Sequence, residues 1–153
     1  PVMEKAAKIL NDFCIPFEMH ALSAHRTPAE VEAFAREAAP RGVEVIIAGA
    51  GMAAHLPGVI AAMTPLPVIG VPISASLDGM DALLAIAQMP PGIPVATVAI
   101  NGAMNAGILA AQVLAAADPA LRERVILFKE SLKNKIVEAN GELAAVKYPY
   151  KVN

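Results

Sequence analysis

The chain has 153 residues, enough for one domain with a buried core. It is 56% hydrophobic and only 17% charged, with a formal net charge of −2, against about 25% charged in an ordinary globular domain. Charge this sparse and slightly acidic excludes a basic nucleic-acid face. The longest apolar stretch, Val45 to Met63, is broken by Gly49, Gly51, His55, Pro57 and Gly58, which excludes a spanning helix.

A mean hydropathy of +0.54 leaves too few charges to coat a small sphere, so the chain is expected to cover much of its surface with copies of itself. No charged segment followed by an apolar run opens it, and Cys14 is its only cysteine. No internal disulfide can form, which suits the cytoplasm, and Cys14 reads as a small buried hydrophobe.

Val2 to Phe13 carries apolar residues at helical spacing, with Pro1 at its first turn. Pro16 to Leu22 reads as a short strand. Pro28 to Ala39 reads as a helix capped by Thr27, with Glu30 completing a capping box. Val43 to Ala48 is an apolar, β-branched run of the kind expected where both faces of a strand are covered. A glycine-rich turn at Gly49–Gly51 and a helix from about Ala54 to Ala62 follow. Val68 to Val71 is a second buried strand, and Asp78 to Met89 a helix closed by Pro90-Pro91-Gly92. Val95 to Ile100 is the next strand and Ala103 to Ala116 an alanine-rich helix that invites burial between subunits. Pro119 to Gly141 is one long helix, whose Lys129, Lys133 and Lys135 read as a solvated face. Alternation of this kind predicts an α/β domain with a parallel sheet and helices on both faces.

Ligands of such sheets bind beyond the carboxyl ends of the strands. Two polar segments fall there, Ser23-Ala24-His25-Arg26-Thr27-Pro28 and Gly49 to Pro57, each pairing a histidine with small residues near a helix N-terminus. Histidine titrates near neutrality and suits proton transfer. His25, beside Arg26 on a strand-end loop, is the stronger candidate; His55 stands equally for function or capping, and His20 reads as structural. The three histidines lack metal-ligand spacing, so no metal is expected. Gly49-Ala50-Gly51 fails the full dinucleotide pattern because Ala54 replaces the third glycine. A flavin carrier is disfavoured, since there is no Trp and only two Tyr.

Ser23–Pro28 (SAHRTP), Gly49–Gly58 (GAGMAAHLPG), Pro67–Ser74 (PVIGVPIS), Ser76–Ile100 and Asn105–Ala111 (NAGILAA) resemble, in order, the signature segments of the PurE family. The resemblance implies a three-layer αβα, flavodoxin-like sheet with a long C-terminal helix, assembled as a homo-octamer without metal or organic cofactor. It implies isomerisation of 5-(carboxyamino)imidazole ribonucleotide to 4-carboxy-5-aminoimidazole ribonucleotide in purine synthesis. A carboxylase using free carbon dioxide, or a non-catalytic subunit of the same fold, are the alternatives. His25 would be the general acid and base. Ser23, Arg26, Gly49, Ala50, Gly51, His55 and Leu56 would hold this small ribonucleotide, with Arg26 on an anionic group. Met52 stands where the family usually has glycine and is expected to narrow the pocket. A first strand and a GSxSD phosphate loop are expected ahead of Pro1, at the N-terminus of the first helix. Residues 1–153 are therefore read as a single PurE-like domain without them.

Overall fold

The computed structural model describes residues 1–153. Helices α1 (Glu4–Asp12) and α2 (Pro28–Ala38) precede strand β1 (Ile46–Gly51), helix α3 (Leu56–Met63) and strand β2 (Val68–Ile73). Then come a 3₁₀ turn (Leu77–Gly79), α4 (Met80–Ala87), β3 (Ala96–Thr97), α5 (Ala103–Leu114) and α6 (Pro119–Ala145). The sheet is parallel, in the order β1-β2-β3.

The period-2 alternation of the strands sorts side chains onto two helical layers. Ile46, Ala48 and Val68 pack with Val31, Ala35 and Ala38 of α2 and Ile60 of α3. Ile69 and Val71 face the other way, onto Ala6 and Leu10 of α1 and Ala103, Ala106 and Ala110 of α5. Ala82 and Ile86 of α4 join the α3 side through Ala54. The result is the three-layer αβα arrangement expected from the alternation. The alanines of α5 are spent inside the chain, against α1 and the sheet, rather than held for another subunit. At Gly107 the two helices cross so closely that a Cβ would meet Ile9 Cγ2 inside contact distance and lie 3.1 Å from the Ala6 carbonyl oxygen.

Several boundaries differ from expectation, each for a local reason. Residues 16–22 form no strand: no neighbour pairs with their backbone. β1 begins at Ile46 because its partner begins at Val68, after Pro65 and Pro67. It then runs through the glycine-rich segment, so Gly49, Ala50 and Gly51 are ladder residues opposite Val71, Pro72 and Ile73 rather than a turn. β3 shrinks to two residues. Gly70 and Pro72 accept from Val98 and Asn101 on that side, and the ring nitrogen of Pro72 has no hydrogen to return.

Leu77, Asp78 and Gly79 all have positive φ, so α4 cannot start before Met80. At Gly79 (φ 84°) a Cβ would also lie 2.6 Å from Ile100 Cγ2. Thr27 caps nothing, because its hydroxyl is engaged with Ser23. Asp118 does cap α6, accepting from the Ala120 and Leu121 amides at 2.9 and 3.0 Å. Cys14 is exposed, not buried: it takes a left-handed conformation (φ 56°) after α1, where its amide closes on the Asn11 carbonyl. Only the first two turns of α6 bury side chains, Leu121 and Val125. No helix is long and apolar enough to cross a membrane.

Candidate active site

Two loops meet beyond the carboxyl end of β1. The first, Ser23 to Thr27, is a tight turn closed on itself. The Ser23 amide donates to Thr27 Oγ1 at 2.9 Å, while the Thr27 hydroxyl and amide both donate to the Ser23 carbonyl, at 3.1 and 2.9 Å. The Arg26 amide donates to Ser23 Oγ at 3.2 Å. These bonds occupy the capping groups of α2 and hold His25 and Arg26 out from the chain. The second loop leaves β1 through Met52, whose φ of 54° turns the backbone sharply, and enters α3 at His55. Met52 is 60% exposed and lines no part of the site, so it does not narrow the pocket as expected.

The loops place His25 Nε2 2.7 Å from His55 Nδ1, with ring centroids 4.9 Å apart and planes at 84°. A nitrogen pair at that distance shares one proton, so one imidazole donates while the other accepts. Around them lies a cavity of about 190 Å³ lined by Leu22, Ser23, Ala24, His25, Arg26, Gly49, Ala50, Gly51, Ala53, His55 and Leu56. All eight residues singled out from the sequence are in this lining. Leu22, Ala24 and Ala53 were not, although Ala24 and Ala53 lie within the two motifs and Leu22 immediately precedes the first. Arg26 is the one formal charge in the lining, and it makes no ion pair within the chain. No carboxylate opposes it, so the cavity favours an anion. The floor, Gly49 to Gly51, is fixed by its ladder to β2 and carries almost no side chain, which lets a flat ring lie against backbone.

His20 lies outside the cavity. It approaches Glu18 at 3.4 Å and tilts against the Phe34 ring at 4.9 Å between centroids. Glu18 is also gripped by both Arg41 guanidinium nitrogens, at 2.8 and 3.2 Å. That hydrogen-bonded guanidinium, more than the nearby His20, holds the Glu18 carboxyl below the usual carboxylate range. No group of three or more His, Cys, Asp or Glu side chains comes together as a metal site.

The AIR carboxylase family model matches residues 1–135. The N5-carboxyaminoimidazole ribonucleotide mutase of Mycobacterium tuberculosis is 57% identical over 144 residues, covering 94% of this chain and 83% of that protein. The phosphoribosylaminoimidazole carboxylase of Schizosaccharomyces pombe is 54% identical over 145 residues, covering 94% of this chain but 26% of that much longer protein. The crystal structure of Treponema denticola PurE superimposes with a TM-score of 0.82 at 29% identity, covering 93% of this chain and 89% of that one. With two of its signature segments meeting at the carboxyl end of β1 and relatives of this identity along almost its whole length, the chain belongs to the AIR carboxylase family, that of PurE.

Proposed function

We propose that this protein is an N5-carboxyaminoimidazole ribonucleotide mutase and that His25 moves both protons of the reaction. The observation that carries the reading is the His25–His55 pair at 2.7 Å, set over a backbone floor beside the unpaired Arg26. Arg26 binds an anionic group of the ribonucleotide with its fork of donors, while Ser23 and the Gly49–Gly51 backbone position the imidazole.

In the first half-reaction the carbamate carbon–nitrogen bond breaks. Carbon dioxide leaves, and the exocyclic nitrogen takes a proton from protonated His25. In the second, the ring carbon attacks the retained carbon dioxide, and neutral His25 removes the proton from that carbon. The substrate is isomerised and the histidine ends as it began. The released gas must be retained beside the ring carbon, and Ala50, Ala53 and Leu56 are among the apolar residues of the lining.

The Schizosaccharomyces pombe relative keeps the carboxylase reading open as the alternative. One assay separates the two. Purified protein should interconvert the two carboxylated ribonucleotides with no added bicarbonate. Turnover that appears only with aminoimidazole ribonucleotide and bicarbonate would make it a carboxylase, and absence of both would leave a non-catalytic subunit.

The protein is further proposed to work in the cytoplasm as a homo-octamer. The support is apolar surface left on α6, where Leu127, Ile136, Val137 and Leu143 are each more than half exposed. Light scattering should give a mass near eight chains, and a monomer at micromolar concentration would contradict it.

A further inference from the structure

The loop from Ser23 to Thr27 carries both His25 and Arg26, yet neither side chain fastens it. Both residues are exposed. Arg26 makes no ion pair within the chain, and the one hydrogen bond of the His25 ring is to His55. Four hydrogen bonds close the loop on itself, and three of them have Thr27 at one end. The Thr27 hydroxyl works in both directions. Its oxygen accepts from the Ser23 amide at 2.9 Å, and its hydrogen goes to the Ser23 carbonyl at 3.1 Å. The Thr27 amide adds a bond to the same carbonyl at 2.9 Å. Ser23 and Thr27 are half-buried, unlike the two residues between them that face the cavity, so water competes less for these bonds.

This use of Thr27 runs against its place in the helix. It precedes α2 directly, with Pro28 next and Glu30 three residues on, where a threonine ordinarily accepts from amides of the first turn. No side chain caps α2. The hydroxyl is turned away from the helix it precedes and onto the loop it ends. Branching at Cβ narrows the choice of χ1 and keeps that hydroxyl aimed one way.

His25 has to reach from this loop to the start of α3, where its Nε2 stands 2.7 Å from His55 Nδ1. An imidazole is short and has few torsions, so it cannot make up for a displaced backbone. A proton-transfer group must come within about 2.6–3.2 Å of its target, and a misplacement of about 1 Å can cost about 10²-fold in rate. We propose that Thr27 is a positioning residue for His25: its doubly bonded hydroxyl sets how far the histidine reaches toward His55 and the reacting ring. The kinetic consequence rests on the mutase reading; the geometric one does not. Loosening the loop lowers kcat far more than it raises KM, because the long Arg26 side chain can follow an anionic group while the imidazole cannot follow the proton.

Thr27→Val tests this, since it keeps size and branching, removes the hydroxyl and takes no cap from α2. Thr27→Ala is measured beside it, so that a folding failure of one leaves the comparison standing, and Thr27→Ser returns the hydroxyl. Two quantities are read. One is steady-state turnover of the carboxylated ribonucleotide. The other, in protein without substrate, is the nuclear Overhauser effect between ring protons of His25 and His55, whose centroids lie 4.9 Å apart. Thr27→Val is expected to lose about 10- to 100-fold in kcat with KM within about threefold of wild type, and to lose the Overhauser effect. Thr27→Ser should restore both. A kcat for Thr27→Val within about threefold of wild type overturns the assignment, as does a fall in kcat with the Overhauser effect intact. A serine variant as slow as the valine one does the same. Absence of mutase turnover in the wild type would defeat the functional reading alone. The Overhauser effect would still decide the geometry, and its persistence in Thr27→Val would show that the hydroxyl does not place His25.

Discussion

The hydrogen bond between His25 and His55 can be weighed by a double-mutant cycle. If His25 is the acid and base, His25→Asn removes the group that moves both protons, and a loss of about 10²- to 10⁴-fold in kcat is expected. His55→Ala removes a partner and not the proton carrier. A hydrogen bond between neutral groups is worth about 0.5–1.5 kcal/mol net, and one to a charged group about 1.5–3 kcal/mol. Both rings are exposed in the unliganded chain, so water replaces much of what the partner supplied. The lower range therefore applies, and kcat should fall roughly 2- to 13-fold. The double variant should be no slower than His25→Asn alone, since His55 acts only through His25. Steady-state kinetics on the carboxylated ribonucleotide, with circular dichroism to establish folding, makes the measurement. A double variant slower than His25→Asn by the full His55→Ala factor would show two independent roles. His55→Ala within error of wild type would show that the 2.7 Å contact carries no catalytic weight.

Three further outcomes follow from backbone and charge. Gly107→Val should destabilise by about 1–3 kcal/mol in urea denaturation, because its side chain drives into Ile9 and the Ala6 backbone where α5 crosses α1. Met52→Gly should stabilise by up to about 1 kcal/mol, relieving a left-handed conformation (φ 54°) while opening little space, since the side chain is largely in solvent. For Glu18, whose folded carboxyl titrates below its ordinary value, the Arg41 bond stabilises above the unfolded value and is lost as pH falls through the folded one. Wild type should therefore exceed Glu18→Gln in denaturant midpoint near pH 7 and lose that advantage as pH falls below the ordinary carboxylate range, a convergence readable in paired denaturation curves.

The candidate site was almost wholly legible because its residues come in two short runs, one before α2 and one leaving β1 for α3. SAHRTP and GAGMAAHLPG each fix their own loop, so a reader who places the start of α2 and the end of β1 has placed Ser23, His25, Arg26 and His55 as well. The 2.7 Å approach of the two imidazoles was not legible. It depends on how far the loop before α2 reaches over the start of α3, thirty residues later in the chain. Helices were likewise readable to within a few residues, since a helix satisfies its own backbone. The capping of α2 was misread because Thr27 had a closer partner in Ser23 than the amides ahead of it.

Strands are a different matter, and residues 16–22 show why. Phe17, Met19 and Leu22 have strand character in isolation, yet a strand is a relation between two backbones. With β1 standing across a gap, the segment forms no ladder. The same reasoning explains β3, which ends where Pro72 withholds a donor, and the glycine-rich end of β1, which is a strand because β2 makes it one. Composition misled in a parallel way. The alanines of α5 were assigned to a subunit interface because the chain has few charges, but small side chains serve close crossings first, and Gly107, Ala106 and Ala110 are consumed by α1 and the sheet. Exposed apolar side chains remain elsewhere, among them those of α6 and of Phe17 and Met19. The two patches ask for different cover. A helix bonds its own backbone and needs only side-chain packing, which another copy of the chain can supply. An unpaired edge needs backbone partners as well, which only another strand can give.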